Sequence, residues 1–130
     1  MIQIQLGSVD GTYLPNEEIS GSLAWKDLPD SCERIEIRLI WYTSGKGEQD
    51  VGIAEVKTQS MPAQSGSTKF NFIAPHRPFS VSGKLVSIHW AVEAVTFPGL
   101  NSVKESLTIS PTRSAVQLRA VSNDNDKSDA

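Results

Sequence analysis

The sequence predicts an all-β protein, an antiparallel two-sheet β-sandwich of about seven strands, and two observations carry that expectation. Apolar residues alternate with polar ones over one segment after another, the period of a strand with one buried face, and no stretch has the 3.6-residue period of a helix. Glycine, proline, asparagine and serine punctuate the intervals between those segments.

Taken in order, Ile2, Ile4 and Leu6 alternate with Gln3 and Gln5 in a short first strand that ends at Gly7, followed by a polar turn through Gly11. Tyr13 opens the next unit, in which Ile19, Gly21, Leu23 and Trp25 face inward and Ser20, Ser22 and Ala24 outward; Leu28-Pro29-Asp30-Ser31 is turn chemistry. The run RIEIRLIWYT, from Arg34 to Thr43, points Ile35, Ile37, Leu39 and Trp41 inward and Arg34, Glu36 and Arg38 to water. Ile40 and Tyr42 then make its outer face apolar as well. Trp41 takes the place of the tryptophan buried in immunoglobulin domains, so the sandwich is expected to be immunoglobulin-like. The flanking cysteines of those domains are absent, and packing alone must hold the two sheets.

Residues Ser44 to Asp50 read as a hairpin loop. Val51, Ile53, Glu55 and Lys57 alternate imperfectly with Gly52, Ala54 and Val56, which suggests a bulge near Gly52. After a small and polar loop from Ser60 to Gly66, Phe70 and Phe72 form the next inward pair. In the long strand from Lys84 to Thr96, Val86, Ile88, Trp90, Val92 and Ala94 point inward, while Ser87, His89, Ala91 and Glu93 point outward. A turn at Phe97-Pro98-Gly99 leads to Val103, Glu105, Leu107 and Ile109, and Pro111 stops that last strand.

A chain of 130 residues fits one domain and buries roughly two-thirds of its unfolded surface, enough for a core without metals or disulfides. Residues 1–111 are read as the sandwich, 112–121 as an extra strand or cover, and 122–130 as a disordered polar tail. Cys32 is the single cysteine, which excludes an intrachain disulfide and fits a reducing compartment, with the thiol as a small loop residue rather than a nucleophile. The opening MIQIQLGSVDG has neither a basic region nor an apolar stretch of signal length, and no run approaches the ~20 apolar residues that cross a bilayer, so a cytoplasmic location without membrane insertion is expected. Of the net charge of −3, the tail SNDNDKSDA holds three aspartates against one lysine; the rest is near neutral and has no footprint of a nucleic-acid binder.

The inventory for chemistry is short. His76 and His89 are the two histidines, and no G-x-S-x-G elbow accompanies them, so no catalytic residue is assigned. No C-x-x-C, H-x-x-x-H or EF-hand pattern occurs, and Asp27 with Asp30 is the one close pair of aspartates within the sandwich. Ser44-Gly45-Lys46-Gly47 lacks the spacing of a phosphate-binding loop. Neither a metal nor a cofactor is implied.

Several of these segments together resemble one lobe of the arrestin-like superfamily. The matching features are the unit Tyr13-x-Pro15-Asn16-Glu17-x-Ile19-x-Gly21, the alternation Ile35, Ile37, Leu39, and a loop with Pro78, Ser80 and Gly83 ahead of a strand carrying Trp90, Val92 and Ala94. The likeness spans most of residues 1–111. It implies a non-catalytic adaptor or scaffold that recognises another protein. Lobe-to-lobe switching and phosphate sensing are not carried over, since the chain has room for one lobe and no motif receives them.

If the strands holding Tyr42 and His89 pair, then Ile40, Tyr42, His89 and Ala91 form one outer patch suited to protein docking. Alternatively, AVQLRAV (Ala115 to Val121) covers that patch as a further strand. Self-association through a sheet edge is a second expectation; Lys57 and the bulge blunt the Val51 to Gln59 edge, which favours the first strand, IQIQL. A carbohydrate-binding module is the alternative function, with Tyr13, Trp25 and Tyr42 as sugar platforms.

Overall fold

The computed structural model describes residues 1–8, 10–45, 49–78, 80–82, 86–99, 101–112 and 116–117. Its strands are β1 (Ile2–Leu6), β2 (Thr12–Tyr13), β3 (Glu18–Trp25), β4 (Arg34–Gly45), β5 (Val51–Ser60), β6 (Gly66–Ile73), β7 (Val81–Ser82), β8 (Val86–Phe97), β9 (Ser102–Ile109) and β10 (Val116–Gln117). No helix occurs among the described residues.

Two sheets make the sandwich. The smaller runs β1-β3-β6, antiparallel throughout. In the larger, β8 is central: β4 pairs along one side of it and β5 lies outside β4, while β7 and β9 share its other side. The two-residue strands β2 and β10 add parallel pairs to β9 and β7. The β4–β8 ladder is the longest, from Arg34 opposite Phe97 to Gly45 opposite Val86.

Alternation along these ladders decides what is buried. Ile19, Leu23, Phe70 and Phe72 of the smaller sheet meet Ile35, Ile37, Leu39, Trp90, Val92 and Ala94 of the larger one in a single core. Trp90 is 1 % exposed. Trp41, expected deep inside, is only partly buried: it lies near the end of the inner face, opposite Gly52, where a Cβ would overlap its indole. Gly21 likewise lets strands approach, since a Cβ there would stand 2.6 Å from the Gln5 carbonyl oxygen and 2.7 Å from the Phe70 ring.

The segments behind the family resemblance act as clamps. In the turn after Tyr13, Asn16 takes φ 69°, a conformation asparagine tolerates. There Glu17 accepts the Leu14 amide on its carboxylate at 2.7 Å, and the Asn16 amide donates to the Ala74 carbonyl at 2.8 Å. In the loop before β8, the Pro78 carbonyl accepts the Trp90 indole N–H at 2.7 Å. The buried Ser80 donates its amide to Ile109 O at 2.8 Å and accepts the Ile109 amide on Oγ at 3.0 Å. Gly83, the last member of that motif, lies outside the described residues.

The bulge expected near Gly52 lies two positions beyond it: the register shifts between Leu39 and Ile40 of β4, leaving Ala54 as the extra residue on β5. In the segment from Ala115 to Val121, Val116–Gln117 pairs with β7 at the sheet edge, where the ladder satisfies its backbone. The rest of that segment and the tail 122–130 lie outside the described residues.

Ser80→Ala leaves the Ile109 amide without its acceptor in the core. The expected cost is about 1–3 kcal/mol, seen in thermal unfolding as a midpoint lower by several degrees, whereas Ser82→Ala, at an exposed position, leaves the midpoint unchanged.

Candidate docking face

The outer side of the larger sheet changes character along β4. At one end Glu36 sits between two guanidiniums, 3.0 Å from Arg34 Nε and 2.7 Å from Arg38 Nη2. Arg38 also reaches Glu93 of β8 at 3.9 Å. Arg34 lies 4.0 Å from the Phe97 ring centroid, covering its face.

Past Arg38 the surface turns apolar and aromatic. Ile40 pairs with Ala91 of β8 on one side and Ile53 of β5 on the other; one step on, Tyr42 pairs with His89 and Val51. The Tyr42 and His89 rings stack with centroids 5.0 Å apart. His89 Nε2 is 2.7 Å from Ser44 Oγ, which fixes the ring plane against Tyr42. From β9, the Lys104 ammonium reaches across β8 to stand 4.3 Å from the Tyr42 centroid.

The four residues expected to form the patch are thus brought onto one face by the β4–β8 register. Two are not exposed as expected: Ile40 is 4 % exposed and Ala91 is fully buried. Ile40 has strands on both sides, and Ala91 is a methyl group flanked by Ile40 and Ser106, beneath the path of Lys104. Tyr42 and His89 are half-buried. The exposed apolar surface comes from β5, where Val51, Ile53 and Val56 are 65, 51 and 43 % exposed. They escape the alternation pattern because the Ala54 bulge shifts the phase of the strand midway.

Of the proposed sugar platforms, Tyr13 and Trp25 lie in the core, and the Trp25 indole N–H donates to the Ala63 carbonyl at 2.8 Å. Burial pushes the Tyr13 phenol above its ordinary pKa. Tyr42 alone of the three remains at the surface, so these three do not form a shared platform.

The pairing of Ser44 with His89 escapes sequence reading, since 45 residues separate them. Among the described residues no carboxylate bonds the imidazole, and no group of three or more histidine, cysteine, aspartate or glutamate side chains could hold a metal ion. His76 is exposed in its loop. Asp30 is engaged by the Gln64 amide at 2.8 Å. Among the described residues, no helix is long and apolar enough to cross a membrane.

The fold has a counterpart among solved structures. The chain is similar to the crystal structure of Spo0M, a sporulation control protein from Bacillus subtilis, with a TM-score of 0.55 and 16% identity, over 83% of this chain and 48% of that one. That superposition agrees with the arrestin-like sandwich expected from the sequence. The chain therefore spans about half the length of Spo0M. A β-glucosidase from Listeria innocua, in complex with gluconolactone, aligns with a TM-score of 0.43 at 10% identity, over 89% of this chain and 16% of that one. No protein-family model and no curated protein matches.

The two arginines beside Glu36, Arg38 foremost, hold its carboxyl below the usual carboxylate range. A carboxyl whose pKa is lower folded than unfolded adds stability that is complete above the unfolded value and is lost as pH falls through the folded one. Glu36→Gln is expected to lower stability at neutral pH by at most about 1 kcal/mol and to flatten its decline in acid, measured by thermal unfolding at successively lower pH.

Proposed function

We propose that this chain is a non-catalytic protein–protein interaction module of the arrestin-like type, with its sandwich in residues 1–111, that docks a protein partner on the outer face of its larger sheet. One observation carries this reading. A stacked and hydrogen-bonded Tyr42–His89 pair stands beside the solvent-facing Val51, Ile53 and Val56, on a rigid sheet rather than on loops. Aromatic side chains already held in one conformation lose little entropy on binding, and an apolar surround excludes water from them.

The ionic end of the face supplies orientation. Arg34, Glu36, Arg38 and Glu93 neutralise one another, so a partner meets polar groups there without an unpaired buried charge. The likeness to Spo0M supports a regulatory binding role, since that protein carries the name of a sporulation control protein. A non-catalytic role is also the simpler account of Ser44 and His89. The pair lies on an open sheet face, and its geometry orients a ring without an acid to activate it.

The test is capture of binding proteins from the native host by immobilised wild type, Tyr42→Ala, Ile53→Asp and Ser22→Ala, the last on the smaller sheet. A protein retained by wild type and Ser22→Ala should bind Tyr42→Ala roughly thirtyfold more weakly, the effect of losing about 2 kcal/mol at an aromatic hot spot. Equal retention by all four proteins would remove this face as the docking site.

A further inference from the structure

The edge of the larger sheet invites a second copy of the chain. Among the described residues β5 pairs with β4 alone, so the N–H and C=O groups along its other margin have no strand partner. The first strand, expected to be the open edge, pairs with β3 alone among the described residues and is an edge of the smaller sheet. Its residues Ile4 to Leu6 line a groove of about 310 Å³ together with Glu105 and Ser106 of β9.

The side chains of β5 are distributed in an unusual way. Its apolar residues Val51, Ile53 and Val56 look outward to solvent, while Glu55 and Lys57, opposite the buried Leu39 and Ile37, take the inner phase. Glu55 and Lys57 form an ion pair at 3.2 Å, and the Lys57 ammonium stands 5.5 Å from the Phe72 centroid on β6.

We propose that two copies associate by antiparallel pairing of β5 with β5 about a two-fold axis at Val56, joining the two larger sheets into one. Charge selects this register. Directly opposed residues in an antiparallel pair share a face, so a two-fold register must place some residue opposite itself. With Val56 at the axis, Glu55 of each copy opposes Lys57 of the other, two complementary pairs, and the Val56 side chains meet on the outer face. Shifting the axis to Glu55 sets two carboxylates face to face, and shifting it to Lys57 sets two ammonium groups face to face. The Ala54 bulge limits regular pairing to the middle of the strand, where those residues lie.

Strand pairing covers the Val56 side chain and the backbone margin of β5 and leaves Tyr42, His89, Val51 and Ile53 uncovered, so the inference does not require a partner on the docking face. It is tested by sedimentation equilibrium of the wild type, Glu55→Lys, Lys57→Glu and an equimolar mixture of the two variants, with far-ultraviolet circular dichroism confirming that each is folded. The wild type is expected to approach twice the monomer mass as concentration rises. Each variant alone should stay monomeric, since its opposed pairs carry like charges. The mixture should recover the doubled mass, because one copy then presents a lysine at both opposed positions and the other a glutamate at both. Val56→Lys, which alters no existing ion pair, should also be monomeric. A wild type that stays monomeric up to its solubility limit overturns the proposal, as does a mixture that sediments as two monomers, or variants that dimerise as the wild type does.

Discussion

One register, between β4 and β8, holds both the core and the outer face in place. From Arg34 opposite Phe97 to Gly45 opposite Val86, every residue of one strand has a fixed neighbour on the other. One parity buries Ile35, Ile37 and Leu39 with Trp90, Val92 and Ala94; the other aligns Glu36, Arg38, Ile40 and Tyr42 with Val95, Glu93, Ala91 and His89. A slip of one residue would carry Trp90 to solvent and Glu93 into the core, so no neighbouring register competes. The Pro78 carbonyl on the Trp90 indole adds a second lock, tying the preceding loop to the innermost side chain of the sheet.

The same parity explains what is legible in the sequence. Alternation exposes which residues of a strand share a face, and pairing of the two most strongly patterned strands then brings Ile40, Tyr42, His89 and Ala91 together. It says nothing of depth. Ile40 and Ala91 belong to the outer face, yet neighbouring strands bury them, a consequence of lateral packing that a single strand does not encode. Trp41 shows the converse. It keeps the inward phase but lies where the core thins, so phase alone overstates its burial.

Polar clamps are the least legible features, for a related reason. Ser80 with Ile109, Ser44 with His89 and Trp25 with Ala63 each join residues far apart in the chain, and none changes a local pattern. Serine in a loop reads as turn chemistry whether or not it later caps a buried amide. The loop of Pro78 and Ser80 stands out in the sequence only through the likeness to a family. Its physical content, an acceptor for an indole and a two-way bond to the last long strand, comes from the tertiary structure.

The strand β5 brings the two surfaces together. An inner-phase lysine or glutamate would be intolerable in β4, which has strands on both sides, but at the margin it reaches solvent beside the last strand of the other sheet. The outer phase of the same strand carries Val51 and Ile53 beside Tyr42 and Ile40, and Val56 beside Arg38 at the border of the ionic network. Recognition of a partner through the face would use Val51 and Ile53 beside Tyr42 and His89, whereas pairing of copies would use the backbone margin, Val56 and the charges behind it. Because the two demands meet only at Val56, one copy could hold its twin and a partner at once, and a two-fold axis at Val56 would set the two Tyr42–His89 faces on the same side of the joined sheet.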